Sequence, residues 1–349
     1  MSKPKHILVI RLSAIGDVAM SVPVLRSFVS QNPDVKITVL SRAFLKPLFD
    51  GISNVNFYAA DLKGIHKGIF GLKKLSNELL NLKIDAIADI HNVLRSKILR
   101  LFLSFSNIKI VVIDKGRAEK KALTRIQNKI FKQLRSTHER YADVFRELGF
   151  EVDLSKYQYP EKKVVSSKTK SIIGNSDKIM IGIAPFTQYK SKMYPLDLME
   201  VIISELSQNS NYQIIFFGGG QKEIEILNSY EDKYKNTISF VEKFNFDEEL
   251  VLISNLDCML SMDSANAHLA AMEGVKTITL WGITHPYAGF YPFQQPMEYA
   301  LIPDLQKYPN IPCSIYGNKV CNGYEDVMQT INPYEVIKKI EEVIKSPKK

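Results

Sequence analysis

Cys258-Met-Leu-Ser-Met-Asp263-Ser264-Ala265-Asn266-Ala267-His268-Leu-Ala-Ala271 is an apolar run that breaks into small polar residues and resumes as a helical pattern. A strand, a short loop and a helix in that order is how an α/β protein builds an anion site. Ser264, Ala265 and Asn266 would open the helix with backbone N–H groups that have no intrahelical partner. The helix N-terminus adds roughly half a positive charge, which suits a phosphate or pyrophosphate. Asp263 and His268 bracket the loop with an acceptor and a titratable donor. The plainer alternative is that Asp263 or Ser264 caps the helix and His268 packs against it.

The same alternation extends outward from this stretch. In the second half, Lys178–Pro185, Gln213–Phe217, Thr237–Val241 and Thr277–Leu280 read as further strands with helices between them. In the first half, His6–Ile10, Lys36–Leu40, Val55–Ala59, Asp85–Ile90 and Lys109–Ile113 do the same. Helical patterns run over Val18–Ser30, Gly71–Leu82 and Arg95–Ser104, and residues 114–149 read as more helix. The strand runs are apolar without alternation, which implies burial on both faces and hence parallel sheets. A polar stretch over 151–177 reads as the connection between two domains. The expected fold class is therefore α/β, with two Rossmann-like domains whose parallel sheets face a central cleft. One spans 1–165 and the other 170–332, and a last helix over 333–349 is expected to cross back onto the first.

At 349 residues the chain has room for two cores, and its 45% hydrophobic and 24% charged content is that of an ordinary globular protein. No run approaches the roughly 20 apolar residues of a membrane span, and the N-terminus enters a strand directly. These features predict a cytoplasmic protein, neither secreted nor integral to a membrane. The net charge of +9 asks for an acidic partner. No nucleic-acid-binding motif accompanies it, which leaves anionic lipid or a phosphorylated substrate. Three cysteines make no disulfide framework, and Cys313 and Cys321 lack the companion ligands of a zinc site, so packing or a loop clasp is expected there.

Loops that follow strands carry the chemistry in such sheets. Arg11-Leu-Ser13-Ala-Ile-Gly16-Asp17-Val18 follows the first strand and lacks the G-x-G-x-x-G of dinucleotide enzymes. Asp17 falls where a helix starts, as a cap or as a general base beside the slim Ser13 and Gly16. Thr187-Gln-Tyr-Lys190-Ser-Lys192-Met-Tyr194-Pro195 offers a hydroxyl and lysines for phosphate oxygens, with Lys190 reading as plain surface. Phe217-Gly218-Gly219-Gly220-Gln-Lys-Glu223 lets a ligand approach backbone, and Glu223 would accept from ribose or adenine. Trp281-Gly-Ile-Thr284-His285-Pro-Tyr287 would line the same side, with His285 structural.

Together the Arg11–Val18 loop, the Lys192-Met-Tyr194-Pro195 segment and Asp263-Ser264-Ala265-Asn266-Ala-His268-Leu-Ala resemble the ADP-heptose:lipopolysaccharide heptosyltransferases, glycosyltransferase family 9. Asp89-Ile-His-Asn-Val-Leu-Arg95-Ser96 and the late Pro-Cys313…Cys321 region extend the resemblance over most of the chain. It implies a GT-B fold and an inverting enzyme that needs no metal or other cofactor. Asp17 matches the family's proposed general base, and Lys192 its phosphate-binding lysine. Tyr194 stands where tryptophan is more usual. Asp263, Ser264 and His268 match the donor loop, but Ala265 replaces its glycine, removing free access to positive φ. Lys63, Arg95 and Arg117 fall, more loosely, at acceptor-side basic positions.

The implied reaction moves heptose from ADP-heptose to an anionic glycolipid, Kdo-lipid A or a core heptose of lipopolysaccharide, at the cytoplasmic face of the inner membrane. Lys192, Thr187 and the helix opening at Ser264 would stabilise the leaving pyrophosphate, while Asp17 takes the acceptor proton. Two other readings stand beside this one. The scaffold would also suit another nucleotide-sugar transferase or epimerase, or a non-catalytic binder of nucleotide or anionic lipid.

Overall fold

The computed structural model describes residues 3–104, 106, 108–174, 177–319 and 321–347. Positions 175 and 176 of the polar connection, and 348 and 349 of the last expected helix, lie outside the described residues. The strands are β1 His6–Ile10, β2 Lys36–Ser41, β3 Val55–Ala59, β4 Ala86–Asp89, β5 Lys109–Val112, β6 Ile179–Ala184, β7 Tyr212–Phe216, β8 Thr237–Ser239, β9 Cys258–Met262, β10 Lys276–Leu280 and β11 Ala300–Leu301. The helices are α1 Ile15–Ala19, α2 Ser21–Gln31, α3 Gly68–Leu80, α4 Leu94–Ser104, α5 Arg117–Thr124, α6 Thr137–Glu147, α7 Ser167–Ile173, α8 Leu196–Ser207, α9 Gln221–Lys233, α10 Phe246–Asn255, α11 Ala265–Met272 and α12 Pro333–Lys345.

Two parallel sheets result, ordered β3-β2-β1-β4-β5 and β11-β10-β9-β6-β7-β8. Every residue of β1, β4, β7 and β9 is buried, as expected of strands covered on both faces. In the first sheet the chain winds outward from β1 through β2 to β3, then restarts at β4 on the other side of β1. In the second it winds from β6 to β8 and restarts at β9 beside β6. Each sheet therefore has one switch point, β1/β4 and β6/β9, where the loops leaving the carboxyl ends diverge and open a crevice.

The helix expected over Val18–Ser30 is two helices, α1 and α2, meeting at Met20. Pro23 has no N–H to give the Ala19 carbonyl, so an unbroken helix would lose that bond, whereas the first turn of α2 needs none there.

The chain divides into two units, Met1–Gly116 with Arg135–Gln158, and Arg117–Leu134 with Tyr159–Lys349. The boundaries differ from 1–165 and 170–332 because residues 117–134 leave the first unit and return. Lys129 Nζ donates to the carbonyls of Asn310 and Pro312 at 2.6 and 3.0 Å, and Leu134 N–H donates to Tyr287 O at 2.9 Å. Phe131 stacks edgewise on His285, with centroids 5.0 Å apart.

The last helix is grouped with the second unit. α12 packs on α8, β9 and β10. Its stripe Val336, Ile337, Ile340 and Val343 joins Ile203, Leu206, Leu260 and Ile278 in one core. Each such side chain contributes about 1.5–3 kcal/mol relative to exposure, so this face has a partner within its own unit.

Candidate active site

The carboxyl ends of β1 and β4 carry an interlocked cluster. Asp17 is the third residue of α1, where its Oδ2 accepts the Ala14 N–H at 3.3 Å and pairs with Arg11 Nη2 at 2.5 Å. The capping role is therefore real, yet about a third of the side chain, 35%, stays exposed. Arg11 is buried. Its Nη1 donates to Ile90 O at 2.9 Å and its guanidinium lies 5.8 Å from the Tyr141 ring centre. Burial works against that charge, but Tyr141 and Asp17 outweigh it and hold Arg11 above its ordinary pKa. The Tyr141 hydroxyl donates to Asp17 O at 3.3 Å, fixing the helix start from α6.

The neighbouring loop is held by a buried carboxylate. Asp89 accepts the N–H groups of His91 and Asn92 at 2.9 and 2.8 Å and pairs with Arg100 Nε at 2.8 Å. His91 Nδ1 in turn accepts the Leu12 N–H at 3.4 Å, joining the two loops. Burial first, and the nearby Arg11 and Lys115 next, push His91 down to about 3, so its ring is neutral at ordinary pH. Nothing in the sequence beyond their place in the segments after β1 and β4 marks Arg11 or His91, whose roles lie in contacts with Asp17, Ile90 and Leu12.

The structure brings the acceptor-side residues together only in part. Ser13 and Gly16 are partly buried in the Asp17 loop. Arg95 is exposed on α4, which follows β4. Lys63 is exposed on the loop after β3, two strands from β1. Arg117 starts α5 in the other unit.

At the β6/β9 switch point the expected donor residues meet. Lys192 Nζ donates to Asp263 O at 2.6 Å and to its Oδ2 at 3.2 Å, with both side chains nearly buried. The fully buried Thr284, from the loop after β10, donates to the same Oδ2 at 3.0 Å. Ser264 stands at the N-cap of α11 in extended conformation without a side-chain capping bond, and its hydroxyl is 3.0 Å from Ser261 Oγ. The simple cap reading is therefore not met. Ala265 is the first residue of α11 and an ordinary helical one, so the position does not demand the positive φ of glycine. Asn266 follows it, partly buried, and His268 is buried one turn on.

Thr187 Oγ1 accepts the Tyr189 N–H at 3.3 Å, and Tyr194, buried, donates its hydroxyl to Ile331 O at 2.6 Å. Glu223 closes on its own loop: its Oε2 accepts the Gly219 N–H at 2.8 Å across the glycine turn before α9. Cys313 and Cys321 form a disulfide, the clasp rather than a metal site. The loop it closes lies on Lys192. Ser191 Oγ donates to Gly317 O at 2.6 Å, and a Cβ on Gly317 would sit 2.6 Å from Lys192 Cγ. Among the described residues no group of three His, Cys, Asp or Glu side chains is placed to hold a metal ion.

Comparison with known proteins bears on this geometry. The model of glycosyltransferase family 9 (heptosyltransferase) matches residues 72–311. The chain is similar to the lipopolysaccharide core heptosyltransferase OpsX of Haemophilus influenzae, 25% identical over 289 residues, 81% of this chain and 80% of that one. It is 24% identical over 300 residues to lipopolysaccharide heptosyltransferase 1 of Campylobacter coli, covering 80% of this chain and 85% of that one. Among solved structures it resembles a family 9 glycosyltransferase of Veillonella parvula, with a TM-score of 0.75, 20% identity and 97% of both chains covered. The E. coli ADP-heptose lps heptosyltransferase II follows at 0.67, with 20% identity and 97% and 98% covered. The architecture is GT-B.

Proposed function

The chain belongs to glycosyltransferase family 9, and we propose that it is an inverting, metal-independent heptosyltransferase using ADP-heptose and a lipopolysaccharide inner-core acceptor. The acceptor is Kdo-lipid A or a core heptose, met at the cytoplasmic face of the inner membrane. The observation that carries this reading is the Lys192–Asp263 pair at the opening of α11, at a switch point, where the helix start has no side-chain cap.

An ammonium beside free helix N–H groups suits a pyrophosphate that gains charge as it leaves. In the reaction the acceptor hydroxyl loses its proton to the Asp17 carboxylate and its oxygen bonds to the anomeric carbon. The bond from that carbon to the pyrophosphate oxygen breaks, its electron pair going to ADP. Lys192, Thr187 and the N–H groups of Ala265 and Asn266 offset the new charge from fixed positions, leaving a divalent cation no necessary role. Arg11 holds the Asp17 carboxylate in place. Ser13, Gly16 and Arg95, on the segments that follow β1 and β4, serve the anionic acceptor.

The test is nucleotide release and calorimetric binding with ADP-heptose beside UDP-, GDP- and other ADP-sugars, all with EDTA. Selective turnover of ADP-heptose is expected, with Asp17→Asn binding donor normally and losing at least 100-fold in rate. Preference for another nucleotide sugar overturns the donor, and conversion of donor without acceptor would make the enzyme an epimerase. An Asp17→Asn enzyme with most of its rate would leave Asp17 as a cap alone.

A further inference from the structure

The segment Asp61-Leu-Lys63-Gly-Ile65-His66-Lys67-Gly-Ile69-Phe70-Gly-Leu-Lys73-Lys74 carries apolar side chains where water should be. Ile65 is 57% exposed, Ile69 56% and Phe70 88%. The loop around them is built rather than slack. Asp61 accepts the N–H groups of Gly64 and Ile65 at 2.8 and 3.1 Å. The buried His66 ring accepts the Asp61 N–H at 3.0 Å and meets Glu78 at 3.0 Å on its other nitrogen. A Cβ on Gly71 would lie 2.3 Å from the His66 carbonyl carbon, so the helix start is pressed onto the loop. This packing turns His66 inward and leaves its apolar neighbours outside, an exposed apolar patch of the kind that marks an interaction surface.

The charge around them says what that is. Lys63, Lys67, Lys73 and Lys74 are exposed in the same segment, and residues 62–77 contain no acidic side chain. Apolar tips ringed by ammonium groups match an anionic bilayer, with acyl chains for the tips and phosphates for the lysines. The loop also leaves the carboxyl end of β3. All strands of that sheet are parallel, so it emerges on the same edge as the Asp17 and Asp89 loops.

We propose that Ile65, Ile69 and Phe70, with Lys63, Lys67 and Lys74, form a lipid-docking surface that seats the first unit on an anionic membrane at the edge where Asp17 opens. The inference deepens the proposed glycolipid acceptor by naming the surface that reaches it, and it is tested without acceptor so that each reading fails on its own. The full chain is sedimented with vesicles of phosphatidylcholine alone or with 30% phosphatidylglycerol. Binding to the mixed vesicles only, weakening with salt, is expected.

The exposed pair Lys67→Gln/Lys74→Gln should weaken that binding roughly 10- to 30-fold. Ile69→Ser/Phe70→Ser should abolish it while donor binding stays unchanged. In Phe70→Trp, the new fluorophore should shift to the blue and be quenched by brominated acyl chains. Wild-type chain left in the supernatant, or Ile69→Ser/Phe70→Ser binding like wild type, overturns the proposal. A wild-type dimer that becomes monomeric in Ile69→Ser/Phe70→Ser also overturns it, since the patch would then be an interface between copies.

Discussion

Replacing Lys192 by Met strands a charge. In the native structure the Asp263 carboxylate has two partners, the Lys192 ammonium at 3.2 Å and the Thr284 hydroxyl at 3.0 Å. The side chains of Lys192 and Asp263 are 12% and 10% exposed. Breaking a buried pair by removing one member costs about 3–5 kcal/mol. The residual exposure places this pair at the lower end, near 3 kcal/mol. The amine also loses its bond to Asp263 O, although Met keeps the stem that packs under Gly317.

For a domain of roughly 150–250 residues each kcal/mol moves the midpoint by about 2–4 °C, so Lys192→Met should melt about 6–12 °C lower. Adding Asp263→Asn removes the stranded charge and should recover about half of the loss, while turnover stays lost. Thermal melts and urea titrations of wild type, Lys192→Met, Asp263→Asn and the double variant close the cycle. A Lys192→Met midpoint within 2 °C of wild type, or a double variant less stable than Lys192→Met, would refute the stranded-charge argument.

Three further outcomes follow from the same geometry. His91 sits at about 3 when folded and near 6.5 when unfolded, so below pH 6.5 only the unfolded chain takes up the proton and stability falls with pH until about 3. Between pH 7 and 5 this costs roughly 2 kcal/mol, and urea titrations of His91→Gln should show that much less acid sensitivity; equal losses would clear His91. Gly317→Ala puts a methyl 2.6 Å from Lys192 Cγ at a φ of +80°, so donor KM should rise severalfold with little change in kcat; unchanged kinetics would free the loop of that role. Converting Cys313 and Cys321 to Ser together releases a loop spanning eight residues. It should cost about 2–3 kcal/mol of stability and raise donor KM, which urea titration and initial rates would register.

The strands were legible because parallel strands covered on both faces need apolar side chains at every position. His6–Ile10 and Cys258–Met262 lie where that pattern puts them, while the edge strand Val55–Ala59 is only partly covered. β11 has only two residues and leaves no period to read. Asp17, Lys192 and Asp263 were legible because each follows a strand, the one place where such a sheet offers side chains to a ligand. Thr284 and Gly317 were not, since their meaning lies in contacts with Asp263 and Lys192 made by distant stretches of chain. The same reason hid the excursion of 117–134. Its residues read correctly as helix in part, but helix periodicity does not say which unit a helix will join.

That excursion has a consequence for the order in which the protein can be made. The first unit is complete once residue 158 has left the ribosome. Lys129, however, bonds to Asn310, 181 residues later. At about 5–20 residues per second that partner arrives roughly 10–40 s afterwards. Throughout that interval Lys129 lacks its carbonyl partners, the Leu134 N–H lacks Tyr287 O, and Phe131 lacks the rings of His285 and Tyr287. Slowing translation lengthens that interval, and a nascent chain arrested before residue 285 should be the species most prone to aggregate or to engage a chaperone.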